Sequence, residues 1–195
     1  MDNKKKKREA IIFSALAIFE RDGFHKAKVE DIAKGANVGK GTIYEYFKSK
    51  KDLFYQMVKS LMNMYFEQIQ SVAEENVDPI SSLEELTKLQ LDTECKHGSL
   101  GHVIHVEAIK SGIGKDLKDV YIEFRSKQIK LIQGIINKGI ESGIFKEVDT
   151  DMAALFFIGG VNQFAFEVNH LNKYECKKDV DIKKFLDAFL KGVLK

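Results

Sequence analysis

The chain has a single proline in 195 residues, two cysteines, and no tract dominated by glycine and serine or by acidic residues. Without such biased tracts, a long disordered linker or low-complexity segment is excluded. Two cysteines, Cys95 and Cys176, are too few for a disulfide framework, so the fold must rest on a hydrophobic core, and reduced thiols suit a reducing compartment. Long apolar runs are missing too. The longest, residues 152–161, has ten residues, about half of the roughly 20 that a membrane-spanning helix needs. Lys4, Lys5, Lys6, Lys7 and Arg8 precede apolar residues near the N-terminus, but Glu20, Arg21 and Asp22 interrupt these and no small-residue cleavage site follows. The sequence therefore predicts a cytoplasmic protein with no membrane partner.

Catalytic signatures are equally scarce. There is no nucleophile elbow, phosphate loop or paired-carboxylate constellation, and Gly112 and Gly114 precede a helix with no strand before them, so neither catalysis nor a cofactor is expected. No run alternates apolar and polar residues as a strand would. Cys95, His97, His102 and His105 cluster in sequence, and imidazoles three apart on a helix share a face, so His102 and His105 could form half a zinc site. Their spacing matches no strong motif, and no metal ligand is assigned. A metal sensor stays open as an alternative function.

What is present is an ordinary globular composition, 44% hydrophobic and 31% charged, in a length that suits a small module joined to a larger one. The formal net charge of +2 conceals an asymmetry. Residues 1–60 carry 14 Lys/Arg against 8 Asp/Glu, giving +6, while the remainder carries 17 against 21, giving −4. The basic end is the one suited to phosphates, with a merely solvated lysine tail as the alternative.

Helical periodicity runs through the whole chain. Ile11, Ile12, Ala15, Leu16 and Phe19 form an apolar stripe on a helix of about residues 5–22, stopped by Gly23. Val29, Ile32, Ala33 and Ala36 define a second, two-turn helix. Asn37 follows where the chain must turn sharply, and asparagine tolerates the left-handed conformation best among non-glycine residues. A third short helix, 39–47, turns Ile43 and Phe47 inward, with Lys40, Thr42, Tyr44 and Tyr46 on other faces. Two short helices around a tight turn, braced by a longer one, make a helix-turn-helix. Ser49 can cap a following helix of about 25 residues. Further helical blocks are predicted at about 81–96, 99–111, 115–142, 150–171 and 180–194, with Ser82 and Glu85 resembling a capping box. The reading is all-α, about nine helices, with a helix-turn-helix domain at 1–50 and a helical domain at 51–195.

The string KVEDIAKGANVGKGTIYEYFKSKKDLF, residues 28–54, resembles the DNA-binding signature of the TetR family of bacterial regulators. The resemblance implies a homodimer whose last two long helices, here about 150–171 and 180–194, form a four-helix interface. Leu155, Phe156, Ile158, Gly159, Gly160, Ile182, Phe185, Leu186, Phe189 and Val193 supply apolar surface for it. It also implies a repressor of double-stranded operator DNA, released by a small effector. The sequence departs from the family pattern where Ala27 and Lys28 replace a frequent threonine and Gly39 replaces a serine.

In a helix-turn-helix the second motif helix enters the major groove. The expected DNA contacts are therefore Lys28, Lys40, Thr42, Tyr44, Tyr46 and Lys50, with lysines and Tyr44 on phosphates and Thr42 and Tyr46 at base edges. Residues 4–8 would add nonspecific, salt-sensitive affinity. For the effector, Tyr121, Phe124, Phe156 and Phe166 with the polar Gln128 and Asn162 form the expected pocket, suited to a lipophilic drug or fatty-acyl compound. A DNA-binding protein without an effector, acting in chromosome organisation, is the other alternative.

Overall fold

The structure, a computed structural model, describes the backbone of residues 2–110, 114–170 and 181–193; the side chains at 2, 99–103, 105–110, 114 and 170 lie outside the described residues. Every regular element among the described residues is helical: α1 (Asp2–Lys26), α2 (Val29–Gly35), α3 (Lys40–Tyr46), α4 (Lys50–Glu75), α5 (Pro79–Lys110), α6 (Gly114–Glu141), α7 (Thr150–His170) and α8 (Ile182–Val193). That is eight helices, where the periodicity gave about nine. The predicted blocks 81–96 and 99–111 form one run, α5, interrupted only at His97, whose backbone (φ −135°, ψ 16°) is non-helical. Asn169 Nδ2 donates to the Glu94 carbonyl at 2.9 Å, beside this break. A Cβ at Gly98 would collide with that amide.

The chain divides into two compact units, Met1–Met64 with Ser99–Ile122, and Tyr65–Gly98 with Glu123–Lys195. In the first, the α1 stripe Ile11, Ile12, Ala15, Leu16 and Phe19 is buried against Val29, Ile32, Ala33, Ile43, Phe47, Leu53 and Phe54. Phe19 meets Phe54 edge-on at 5.1 Å and stacks with Phe24 at 5.8 Å. Each such buried ring or branched side chain is worth about 1.5–3 kcal/mol, so the two short helices hold against α1 a fixed geometry that neither could hold alone. The predicted stop at Gly23 is real: φ is 70° there, a conformation that favours glycine. Ser14 on α1 donates its hydroxyl to the Ile32 carbonyl at 2.8 Å, and a Cβ at Gly35 would run into that hydroxyl. The close approach of α1 to α2 thus depends on a glycine.

In the second unit, Ile69, Leu83, Ile132, Ile136, Phe157 and Leu190 belong to one buried cluster with contributions from α4 to α8. The expected capping box at Ser82 and Glu85 does not form. Helix α5 begins earlier, with Asp78 accepting from the Ser81 amide at 2.7 Å and Pro79 at the first helical position, where its missing N–H has no consequence. Ser82 is buried inside the first turn and donates to the Asp78 carbonyl at 3.1 Å. Asp181 caps α8 in the same way, accepting from the Lys184 amide at 3.1 Å.

Candidate functional site

The turn between α2 and α3 follows from its residues. Asn37 is left-handed (φ 55°), and the amides of Ala36, Asn37 and Val38 donate to the carbonyls of Ile32, Lys34 and Ala33 at 3.0, 3.1 and 2.9 Å. Val38 packs on the core, and Gly39, extended at φ −72° and ψ 151°, opens α3 with no side-chain cap. Ile43 and Phe47 are buried, at 1% each, which fixes the rotation of α3 and turns the rest of the helix outward. Ser49 caps α4 as expected, its hydroxyl accepting from the Asp52 amide at 3.0 Å, and Asp52 accepts from the Lys48 amide at 2.8 Å.

The residues expected on DNA have distinct placements on this frame. Lys28, Lys40 and Tyr44 are exposed; Thr42 and Tyr46 are half-buried on α3. Tyr46 packs against the edge of the core, beside Phe47. Lys40 is paired with Glu30 of α2 at 2.6 Å. The pairing holds the Glu30 carboxyl below and the Lys40 ammonium above their ordinary ranges, chiefly through the hydrogen bond between them. Lys50 is engaged within the protein. Its ammonium donates to the carbonyls of His25 at 3.2 Å and Ala27 at 2.9 Å and lies 4.8 Å from the Phe24 ring. It ties the end of α1 to the start of α4.

Residues 4–8 are helical turns of α1 rather than a loose tail. Lys4 Nζ lies 6.0 Å from the Tyr46 ring, and the Arg8 guanidinium lies 5.6 Å from the Phe47 ring while donating to Gln56 Oε1 at 3.1 Å. The basic start of α1 is thereby placed beside α3. Reasoning from sequence missed Glu30 as a member of this site, and took Arg8 only as part of a nonspecific basic segment. Glu30 sat three residues after Ala27 as an unremarkable first-turn carboxylate, and only tertiary geometry pairs it with Lys40.

The second unit contains a cavity of about 20 Å³, room for one water molecule. Ile69, Leu86, Ile132, Phe157, Ile158 and Val161 form its apolar wall, and Tyr65, Gln90, Gln128 and Asn162 its polar one. Of the expected pocket residues, Gln128 and Asn162 line it. Phe124 is adjacent to Tyr65, ring to ring at 6.0 Å, but not in the lining. Tyr121, Phe156 and Phe166 are 52%, 76% and 46% exposed. Helical phase accounts for this: Phe156 and Phe166 share the outer face of α7, while the buried face carries Phe157, Ile158 and Val161. Tyr65 is held in its neutral form, because burial pushes its phenol above the usual range. An open groove of about 560 Å³ in the first unit is lined by Lys48, Lys51, Asp52, Asp116 and Asp119 among others; walls of mixed charge suit no lipophilic molecule.

On the predicted interface, Leu155, Phe156 and Gly159 face outward with Met152. Ile158, Leu186 and Val193 are instead buried in their own unit. Phe185 stacks on Phe164 at 4.3 Å, and Phe189 meets Phe157 edge-on at 5.4 Å. Among the described residues no three metal-binding side chains come together; His102, His105 and Cys176 lie outside the described side chains.

Comparison with known proteins agrees with this arrangement. The sequence profile of "Bacterial regulatory proteins, tetR family" matches residues 11–57. The chain is similar to the fatty acid metabolism regulator protein of Bacillus subtilis, 30% identical over 171 residues that cover 84% of each chain. Among solved structures it is similar to the fatty acid degradation regulator FadR of Bacillus halodurans, with TM-score 0.76, 26% identity, and 95% of each chain covered. It is likewise similar to FadR of Bacillus subtilis in complex with stearoyl-CoA, with TM-score 0.70, 25% identity, and 94% of this chain and 95% of that one covered. The chain belongs to the TetR family of bacterial regulatory proteins, DNA-binding transcriptional regulators rather than enzymes.

Proposed function

We propose that this regulator represses transcription from a palindromic operator as a homodimer and leaves the DNA when a lipophilic effector, of the fatty-acyl class, enters the second unit. Residues 1–50 are the reading head in this scheme and 51–195 the effector and dimer region. The observation that carries the proposal is the outward face of α3, anchored by Ile43 and Phe47, which presents Lys40 and Tyr44 to solvent with Thr42 and Tyr46 at its flanks. Lys28, Lys40 and Tyr44 contact phosphates; Thr42 and Tyr46 meet base edges through hydroxyl, methyl and ring contacts. Lys4 of α1, beside Tyr46, adds charge along the same DNA.

Dimerisation through α7 and α8 is supported by the outward stripe of Met152, Leu155 and Phe156 around Gly159, where a partner helix can approach closely. A two-fold dimer sets two α3 helices against successive major grooves and so requires a palindrome. The effector class is supported by the apolar wall of the cavity and by the similarity to a protein solved with stearoyl-CoA. A cavity sized for one water cannot hold an acyl chain, so binding must open the packing; effector binds the opened state preferentially and shifts the population toward it.

Selection of bound fragments from genomic DNA, followed by salt-controlled titration of the recovered site, tests the proposal. A single palindrome should emerge, with Lys40→Ala and Tyr46→Ala each lowering affinity about tenfold at unchanged circular dichroism. Binding without sequence preference, or wild-type affinity in both variants, would overturn it.

A further inference from the structure

Polar atoms inside the effector cavity restrict what part of a ligand can rest there. Gln128 is 9% exposed and is the only amide side chain among the buried polar residues described. Its Oε1 accepts from Arg125 Nη1 at 3.0 Å. An arginine can only donate, so the orientation of the Gln128 amide is fixed, and its Nε2 hydrogens remain as the polar atoms not engaged by protein. Gln90 adds a second amide, whose Oε1 accepts from the Tyr65 hydroxyl. Asn162 adds a third amide at the edge. Neither Nε2 group has a protein acceptor among the described residues. Two amides whose oxygens already accept from protein donors, opposite an apolar wall, are a pair of donors that a ligand acceptor can engage.

We propose that Gln128 and Gln90 determine effector specificity by donating their Nε2 hydrogens to an uncharged carbonyl oxygen, that of an ester, thioester or ketone, set at the head of an apolar chain. The inference rests on the lipophilic-effector reading above and specifies its chemistry. A carboxylate is disfavoured: no cation is in the described lining, and a charge would have to shed its water against Ile132, Phe157 and Val161. A bare hydrocarbon is disfavoured in the opposite sense, since it would leave the buried Gln128 donor, and the half-buried Gln90 donor beside it, unpaired. Arg125 acts behind Gln128 as a positioning residue, holding the amide by its oxygen.

The test is calorimetric titration of the full chain with three C12 compounds, a methyl ester, the free carboxylate and the alkane. Wild-type protein is compared with Gln128→Met and Gln90→Met, each of similar shape but without donors. The ester should bind about tenfold more tightly than the alkane and more tightly than the carboxylate, and each variant should lose most of that preference while binding the alkane as before. Having two variants keeps the test decisive if one fails to fold. Carboxylate bound above ester, an ester preference retained in the variants, or equal loss for ester and alkane would overturn the assignment while leaving the lipid reading standing. Failure of all three compounds to bind wild-type protein would overturn both.

Discussion

The two units arrange polarity in opposite ways. Around the helix-turn-helix, the core of Phe19, Phe47, Phe54 and their neighbours is closed and apolar, and the chemistry lies outside. In the second unit the buried polar side chains Ser82, Thr87 and Gln128 are inside, while Met152, Leu155 and Phe156 face out along α7. Thr87 satisfies its hydroxyl on the Leu83 carbonyl of its own helix and Ser82 on the carbonyl of the capping Asp78; the Gln128 amide is half engaged. A reading head must present one rigid surface to one partner. An effector region needs both a polar feature to recognise inside and an apolar surface to share outside, and each conflicts with making a self-sufficient core.

The largest expected effect bears on that outward surface. Phe156→Ala removes a 76% exposed ring and so should leave the melting of the protomer nearly unchanged. If the α7 stripe is the dimer seam, the same change weakens dimerisation by about 2 kcal/mol, roughly thirtyfold, as truncation of a central aromatic anchor does. Sedimentation across a concentration series measures it. A dimer of undiminished affinity would show that exposed rings on α7 are not its interface, and half of the contrast between the units would fall.

The same contrast explains what could be seen in the sequence. Across residues 28–54 nearly every position has a local duty: Asn37 must be left-handed, Ile43 and Phe47 must face in, Ser49 must cap. Such duties are encoded within a few residues, and the motif was legible to the residue. Beyond it, periodicity located helices but not their phase against neighbours. Phe156 and Phe157 are adjacent and chemically identical, yet one is 76% exposed and the other 3%. Pocket assignments made by ring type therefore went to Tyr121, Phe156 and Phe166, while Tyr65, Ile69 and Leu86, from helices distant in sequence, were missed. The carbonyl partners of Lys50, at His25 and Ala27, were out of reach of the sequence for a related reason, being distant along the chain. The break that the sequence placed between residues 96 and 99 is present at His97, but the bond from Asn169 to the Glu94 carbonyl beside it, far along the chain, was not legible.

A smaller effect tests whether the second unit depends on local signals as much as the first. Asp78 caps α5, and hydrogen bonds from Ser81 hold its carboxyl below the ordinary aspartate range. Asp78→Ala should cost about 1 kcal/mol. Because the folded pKa is depressed, the cap contributes fully above the unfolded value of about 3.9 and is lost as pH falls through the folded one. Wild type and variant should thus differ in melting temperature at neutral pH and converge in strong acid. An equal gap at all pH values would show that Asp78 acts through packing rather than through its charge.

The smallest effect is expected at the reading head, and it is opposite in sign. Lys40 is committed to Glu30 in the absence of DNA, so binding a phosphate must exchange one anion for another. The ion pair is exposed, and water and salt screen it, which keeps the cost of exchange small; it nonetheless places a carboxylate close to where a phosphate is to dock. Glu30→Gln removes that charge and releases the lysine while leaving the buried residues of α2 in place. Affinity for the operator should rise a few-fold at low salt, and the gain should shrink as salt increases. The double variant with Lys40→Ala separates the two causes: if Lys40 is the phosphate contact, most of the gain disappears with it, whereas a gain that persists would come from the removed repulsion alone. Weaker binding in the single variant would mean that Glu30 positions Lys40 for its contact, and the pair would then be part of the docking geometry rather than a competitor of it.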